Sequence, residues 1–189
     1  MRQREPRHFG PELTVKLSTP TLSFALRFFV YFALLMGAFE ASRGSAVERF
    51  LVEDCILKPA VALIHVVAPN ESVELVGRTI SSPTSRLNVT RGCEGIEIFL
   101  LLVAGVLAFP ARWKARATGL AIGFVLAYLL SLSRLVALHF TLRYNPGAWE
   151  ALHGLVLPLG PIVLITLYFM YWSEKIPLSA PRSHPPHAS

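Results

Sequence analysis

Long apolar runs alternate with short polar segments along this chain. Three runs approach or exceed the roughly 20 apolar residues that a helix needs to cross a bilayer, namely residues 21–39, 118–140 and 152–172. A shorter run, 94–109, can reach a spanning length with its flanking residues. The pattern predicts an all-α integral membrane protein with about four transmembrane helices.

Two further segments differ from these runs. Residues 46–68 are apolar overall, but charged side chains crowd their first half, as in a helix that lies at the membrane interface or re-enters the bilayer. Within residues 73–89, two short β-prone runs flank a Ser-Ser-Pro-Thr-Ser turn. We therefore expect one amphipathic or re-entrant helix and one small extracytoplasmic hairpin beside the four crossings.

Composition agrees with a membrane protein. Of the 189 residues, 53% are hydrophobic and only 16% are charged, whereas soluble domains average roughly 25% charged residues. The formal net charge is +6, but the basic residues lie between or outside the apolar runs and form no single stripe. The chain is therefore predicted to contact the lipid bilayer and not nucleic acid.

A short basic loop sets the expected orientation. Arg112, Lys114 and Arg116 lie between two apolar runs, and Lys and Arg near helix ends favour the cytoplasmic side. We expect both termini on that side, with the first run as an uncleaved anchor. This divides the chain into a cytoplasmic N-terminal tail (1–20), a membrane-embedded domain (21–172) and a disordered cytoplasmic C-terminal tail (173–189).

Three chemically active side chains fall at the same end of neighbouring crossings. Cys93 opens the run 94–109, and His153 opens the last run. Arg134 lies about 24 Å from the inner end of its helix at ~1.5 Å rise per residue. A helix N-terminus and a nearby cation both favour a thiolate. We therefore predict Cys93 as nucleophile, His153 as proton shuttle and Arg134 as the group that stabilises negative charge.

Two glutamates are predicted to support this site. Glu97 lies one helical turn beyond Cys93 and is expected to pair with Arg134 or to orient His153. Glu150, three residues before His153, is a second candidate for the orienting role.

Other residues compete for these roles. Cys55 is an alternative nucleophile and a potential disulfide partner of Cys93. His139 competes with His153 as the base, although it has no acidic neighbour in sequence. No Cys/His cluster has metal-ligand spacing, so neither a metal nor an organic cofactor is predicted.

Four segments occur in an informative order: "GCEGIE", "LAFPARW", "SLSRLVAL" and "WEALHG". Together they resemble the exosortase/archaeosortase family of membrane cysteine transpeptidases, most closely the short exosortase H type, over about residues 73–172. The resemblance implies that Cys93, Arg134 and His153 correspond to the family's nucleophile, arginine and histidine.

The resemblance also implies a function and a location. Such enzymes cleave a C-terminal sorting signal, made of a short motif, a transmembrane helix and a basic cluster, through a cysteine thioester. They then transfer the protein to a surface acceptor. The expected partners are membrane-tethered protein substrates. The expected location is the bacterial cytoplasmic (inner) membrane, with the site on the extracytoplasmic side.

Two positions depart from the family pattern. Ser131 stands three residues before Arg134, where the family often has asparagine, and it keeps a hydrogen-bonding group but loses the amide. Glu94 follows Cys93, where the family often has a small polar residue. A carboxylate at that position is expected to oppose ionisation of the thiol.

Two alternative functions remain open from the sequence. One is an intramembrane cysteine protease that releases its product to water. The other is a non-enzymatic membrane assembly protein in which Arg134 and Glu97 form a structural pair. The small-residue pattern from Gly119 to Gly123 predicts close packing of helices within one chain in preference to dimerisation, and the oligomeric state itself is left open.

Overall fold

The computed structural model describes residues 19–90 and 92–176 of the chain. Most of the two predicted tails, residues 1–18 and 177–189, lies outside the described residues. Five helices form the body of the described chain: α1 (Thr19–Ala41), α2 (residues 46–67), α3 (Ile96–Ala108), α4 (Trp113–Tyr144) and α5 (Pro146–Glu174). A three-stranded antiparallel sheet lies between α2 and α3, with strands β1 (Glu74–Val76), β2 (Thr79–Ser81) and β3 (Arg86–Asn88).

Three helices of the described chain are long and apolar enough to cross a membrane, namely Thr21–Ala41, Trp113–Tyr144 and Pro146–Glu174. They contain the three predicted runs, which is consistent with an all-α membrane protein. The fourth candidate, α3, has only 13 residues, which is about 20 Å of helix against a hydrocarbon core of roughly 30 Å. Helix α3 by itself is therefore too short to cross the bilayer. It packs against α1, α4 and α5.

The segment predicted to be amphipathic is a continuous helix with two different faces. It starts as an α-helical turn capped by the Ser45 side chain, continues as a π-helical stretch (Phe50–Leu57) and ends as α-helix (Lys58–Val67). Its buried face consists of apolar residues, while Lys58 and Asp54 form an exposed ion pair at 2.6 Å on the other face. The buried face packs against α4, so α2 covers one side of that helix.

The predicted hairpin is a three-stranded meander in the structure. Leu75 lies opposite Ile80, and Ile80 lies opposite Leu87. The first predicted run is divided into two strands because Gly77, at φ 60°, makes a tight turn after β1. The second turn is closed by a 2.8 Å hydrogen bond from Ser82 N–H to the Ser85 carbonyl.

A single apolar core joins α2, the sheet and the second half of α4. Ile64 from α2, Ile80 from β2 and Leu135 from α4 are completely buried in it. Cys93 belongs to the same core. The sheet is therefore anchored to α4, and the chain that leaves β3 is held close to that helix.

Helix α5 packs closely on the small residues of α4. An ideal Cβ placed on Gly119 would lie 2.3 Å from Trp172 Nε1, and one on Gly123 would lie 2.6 Å from Tyr168 Cε1. The Tyr168 hydroxyl also donates a 2.6 Å hydrogen bond to the Gly119 carbonyl. The prediction that this pattern serves packing within the chain is confirmed.

Replacing Gly119 by leucine is expected to destabilise the protein by about 1–3 kcal/mol, because the new side chain overlaps the Trp172 ring in a packed interface. The measurement is the thermal unfolding midpoint of the detergent-solubilised protein. Gly37→Leu is the matched control, since an ideal Cβ on Gly37 meets nothing within 4 Å. Equal midpoints for the two variants would contradict the close packing of α5 on α4.

Candidate active site

The loop that carries Cys93 connects β3 to α3. Gly92 and Gly95 both adopt the left-handed conformation, with φ of 79° and 80°, which glycine reaches without the steric cost of a side chain. The Cys93 N–H donates to the Thr90 carbonyl at 3.0 Å. Helix α3 begins at Ile96, two residues after the start of the predicted run 94–109, and Cys93 lies in a turn ahead of the helix.

Cys93 and His153 are in contact. The Cys93 Sγ and His153 Nε2 atoms are 3.2 Å apart, and the Thr90 hydroxyl lies 3.8 Å from the same sulfur. Cys93 is 5% exposed, while His153 is half-buried. A thiol beside an imidazole nitrogen can transfer its proton to that nitrogen, which generates the nucleophilic thiolate.

His153 is oriented by an aromatic ring that the sequence interpretation did not single out. Trp149 stacks on it with ring centroids 4.9 Å apart and an interplanar angle of 10°. The two residues are four positions apart in the first turns of α5 and so share one helical face. The four-residue spacing of Trp149 and His153 is the sequence pattern from which this contact could have been predicted. The side chain of Glu150, the second candidate for the orienting role, is exposed and forms no hydrogen bond or ion pair with the described residues.

Arg134 reaches the loop directly. Its Nη1 donates a 2.9 Å hydrogen bond to the Gly92 carbonyl, one residue before the nucleophile candidate. The side chain is buried, and its Nε has no partner among the described residues. The guanidinium therefore places positive charge beside the Cys93 turn.

Glu97 does not pair with Arg134. Its side chain is half-buried, and neither a hydrogen bond nor an ion pair joins that side chain to any described residue. The expectation rested on Cys93 and Glu97 sharing one helical face. Because α3 starts only at Ile96, that spacing does not apply to Cys93. The structural pair required by the assembly-protein alternative is therefore not formed.

Ser131 has a small side chain that allows close packing at the site. Its hydroxyl is buried and has no hydrogen-bond partner among the described residues. An ideal Cβ on Gly95 would lie 2.4 Å from Ser131 Oγ. The two residues thus allow the start of α3 to approach α4 closely, which holds the Cys93 turn near Arg134.

The negative charge of Glu94 is matched by a cation that the sequence interpretation missed. Glu94 is buried and forms an ion pair with Arg78 from the β1–β2 turn. Its other oxygen accepts a 3.0 Å hydrogen bond from the Gly92 N–H. Arg78 also pairs with Glu48 at 3.0 Å. A hydrogen bond from the Gly44 N–H, aided by Arg78 and opposed by burial, lowers the pKa of Glu48.

The rival base, His139, belongs to a separate cluster. It is completely buried, and its Nε2 lies 3.0 Å from Glu71 Oε1. Arg143 forms an ion pair with the same carboxylate. Burial raises the pKa of Glu71, but the hydrogen bonds from Arg143 and His139 outweigh it and leave that pKa below its ordinary value. The acidic neighbour that His139 lacks in sequence is thus supplied by the fold.

The rival nucleophile, Cys55, lies half-buried on α2, and both it and Cys93 are free thiols. The disulfide considered from the sequence is not formed in the structure. Within residues 19–90 and 92–176, no three His, Cys, Asp or Glu side chains are grouped so that they could hold a metal ion.

No family model, no curated protein and no solved structure matches this chain significantly. The resemblance to exosortases therefore stays a prediction supported by the quoted segments. The structure shows that Cys93, His153 and Arg134, which come from three separate segments, converge on one turn.

Proposed function

We propose that this protein is a membrane cysteine protease or transpeptidase of the exosortase type. It cleaves C-terminal sorting signals of exported, membrane-tethered proteins through a thioester and transfers the product to a surface acceptor. The observation that carries the proposal is the 3.2 Å contact between Cys93 Sγ and His153 Nε2. Arg134 on the adjacent carbonyl provides the cation that such chemistry uses.

The dimensions of α4 support an outer location for the site and a fourth crossing. Arg116 near the start of α4 donates to the Phe109 carbonyl at 2.9 Å, and Arg134 farther along donates to the Gly92 carbonyl. These two anchor points are about 27 Å apart along α4 at ~1.5 Å per residue, close to the roughly 30 Å hydrocarbon core. In our proposal, α3 and its flanking residues cross the bilayer. With the basic loop in the cytoplasm, Cys93 lies at the outer face, where exported substrates arrive.

The first chemical step forms the thioester. His153 Nε2 accepts the Cys93 proton, and the thiolate attacks the carbonyl carbon of the scissile peptide bond. The Arg134 cation stabilises the negative charge that develops on the carbonyl oxygen. As the C–N bond breaks, the leaving amine takes the proton from His153, and the acyl group stays on Cys93.

The second step releases the product. An incoming amine, or water, loses a proton to neutral His153 as it attacks the thioester carbon. The C–S bond breaks, and the thiolate recovers a proton from His153. An amine gives a transpeptidation product, whereas water gives simple hydrolysis, so one site supports both enzymatic alternatives.

The experiment is co-expression with a reporter that ends in a short motif, an apolar helix and a basic cluster. We expect the wild type to change the reporter's mass, and Cys93→Ala, Arg134→Ala and His153→Ala to leave it uncut. Cys55→Ala is the matched control and should retain processing. All variants are compared at equal membrane abundance, measured by immunoblot.

Continued processing by Cys93→Ala would overturn the proposal. The product mass separates the two enzymatic outcomes, because an added amine acceptor contributes its own mass only if the thioester is transferred. A product that gains only the elements of water assigns the protein to proteolysis.

A further inference from the structure

A buried carboxylate next to a nucleophilic thiol is unfavourable unless it is neutralised. Glu94 is 4% exposed and adjoins Cys93 in sequence. An uncompensated negative charge there would disfavour the thiolate, and burial would strengthen the effect by lowering the local dielectric constant. The protein thus needs a cation at Glu94 if Cys93 is to act as a nucleophile.

Arg78 provides that cation from a fixed position. It sits in the β1–β2 turn, and its carbonyl accepts the Val89 N–H at 2.9 Å, which ties the turn to the chain just before the Cys93 loop. One guanidinium nitrogen pairs with Glu94 and another with Glu48. Because Glu48 comes from α2, Arg78 is held between two carboxylates of different elements.

Glu94 also fixes the peptide that precedes the thiol. Its Oε2 accepts the Gly92 N–H at 3.0 Å, while Arg134 donates to the carbonyl of the same residue at 2.9 Å. Gly92 is therefore held on both sides, by an anion at its N–H and by a cation at its carbonyl. Any displacement of the Glu94 carboxylate changes the turn that presents Cys93 to His153.

We infer that Arg78 is a positioning residue of the Cys93 site, which neutralises Glu94 and holds its carboxylate on the Gly92 N–H. The inference gives that pair a role in the proposed function and rests on it for its catalytic meaning. It also explains how glutamate is tolerated directly after the nucleophile. Arg78 acts through Glu94 and need not touch the substrate.

The test is the pH dependence of Cys93 alkylation by iodoacetamide in the full-length, detergent-solubilised protein. A Cys55→Ser background leaves Cys93 as the only thiol, since the chain has two cysteines. Arg78→Gln is expected to raise the midpoint of the pH–rate profile by about 1 pH unit, the effect of an unpaired nearby carboxylate. Adding Glu94→Gln should return the midpoint towards that of the background protein, and Arg78→Lys should preserve it.

A merely structural role for Arg78 predicts a different pattern. In that case the double variant would be no closer to the background than Arg78→Gln, and this result would overturn the inference, as would an unchanged midpoint in Arg78→Gln. Arg143→Gln is the matched control, because it removes the cation paired with Glu71 but leaves Glu94 paired, so its midpoint should not move.

Two features keep the outcome interpretable. If Arg78→Gln does not accumulate, the double variant alone decides, since a raised midpoint there contradicts the inference and an unchanged one supports it. Alkylation requires no substrate. A protein that fails to process sorting signals can still show the predicted profiles, so failure of the inference is distinguishable from failure of the proposed function.

Discussion

Replacing His153 by glutamine is expected to slow processing of the tail-bearing reporter by about 10²- to 10⁴-fold, the usual contribution of a general acid–base group. Glutamine can still form a hydrogen bond to the Cys93 sulfur, which lies 3.2 Å from the imidazole nitrogen. It cannot carry a proton from the thiol to the leaving amine. The measurement is the initial rate of reporter cleavage in membranes, normalised to enzyme abundance.

His65→Gln is the control for this prediction, because His65 is exposed on α2 and remote in sequence from the Cys93 loop. Its cleavage rate should match that of the wild type. A nearly normal rate for His153→Gln would show that another group moves the proton. His139 would then be the next residue to replace, since its Nε2 lies 3.0 Å from a carboxylate oxygen of Glu71.

Replacing Gly95 by alanine is expected to destabilise the protein by about 2–4 kcal/mol, the largest loss of stability predicted for a single substitution here. The backbone at Gly95 has φ of 80°, which costs an L-residue about 1–2 kcal/mol. The new Cβ would also lie 2.4 Å from the buried Ser131 hydroxyl. The unfolding midpoint in detergent measures the sum of these two effects.

A matched pair of glycines separates the two effects. Gly92 has nearly the same φ, 79°, but an ideal Cβ there meets nothing within 4 Å, so Gly92→Ala should show the backbone cost alone. Adding Ser131→Gly to Gly95→Ala should recover the part due to overlap. Equal losses for Gly92→Ala and Gly95→Ala would contradict the close approach of α3 to α4.

The membrane-spanning candidates followed from local composition. A helix in lipid needs a long apolar run, and this requirement can be read residue by residue. The three predicted runs therefore coincide with α1, α4 and α5, and the charged first half of residues 46–68 anticipated the two-faced α2. The start of α3 was predicted too early, because hydropathy does not indicate the left-handed backbone at Gly92 and Gly95.

The convergence of Cys93, Arg134 and His153 was anticipated for a similar reason. Alternating directions bring the ends of neighbouring helices to one level, whatever the details of packing. The partners of these residues could not be found in that way. Trp149 orients His153 by a stacking geometry, whereas the sequence interpretation considered two charged candidates for that role, Glu97 and Glu150.

The sequence by itself determined which segments are apolar enough for lipid and which reactive side chains lie at their ends, because both depend on neighbours along the chain. Only the tertiary structure decided which charges far apart in sequence pair. Arg78 meets Glu94 because the β1–β2 turn folds back on the Cys93 loop, and Glu71 meets His139 across 68 residues of chain. Such pairs depend on how turns and helices pack in space, and neither the hydropathy of the chain nor the spacing of its residues predicts that packing.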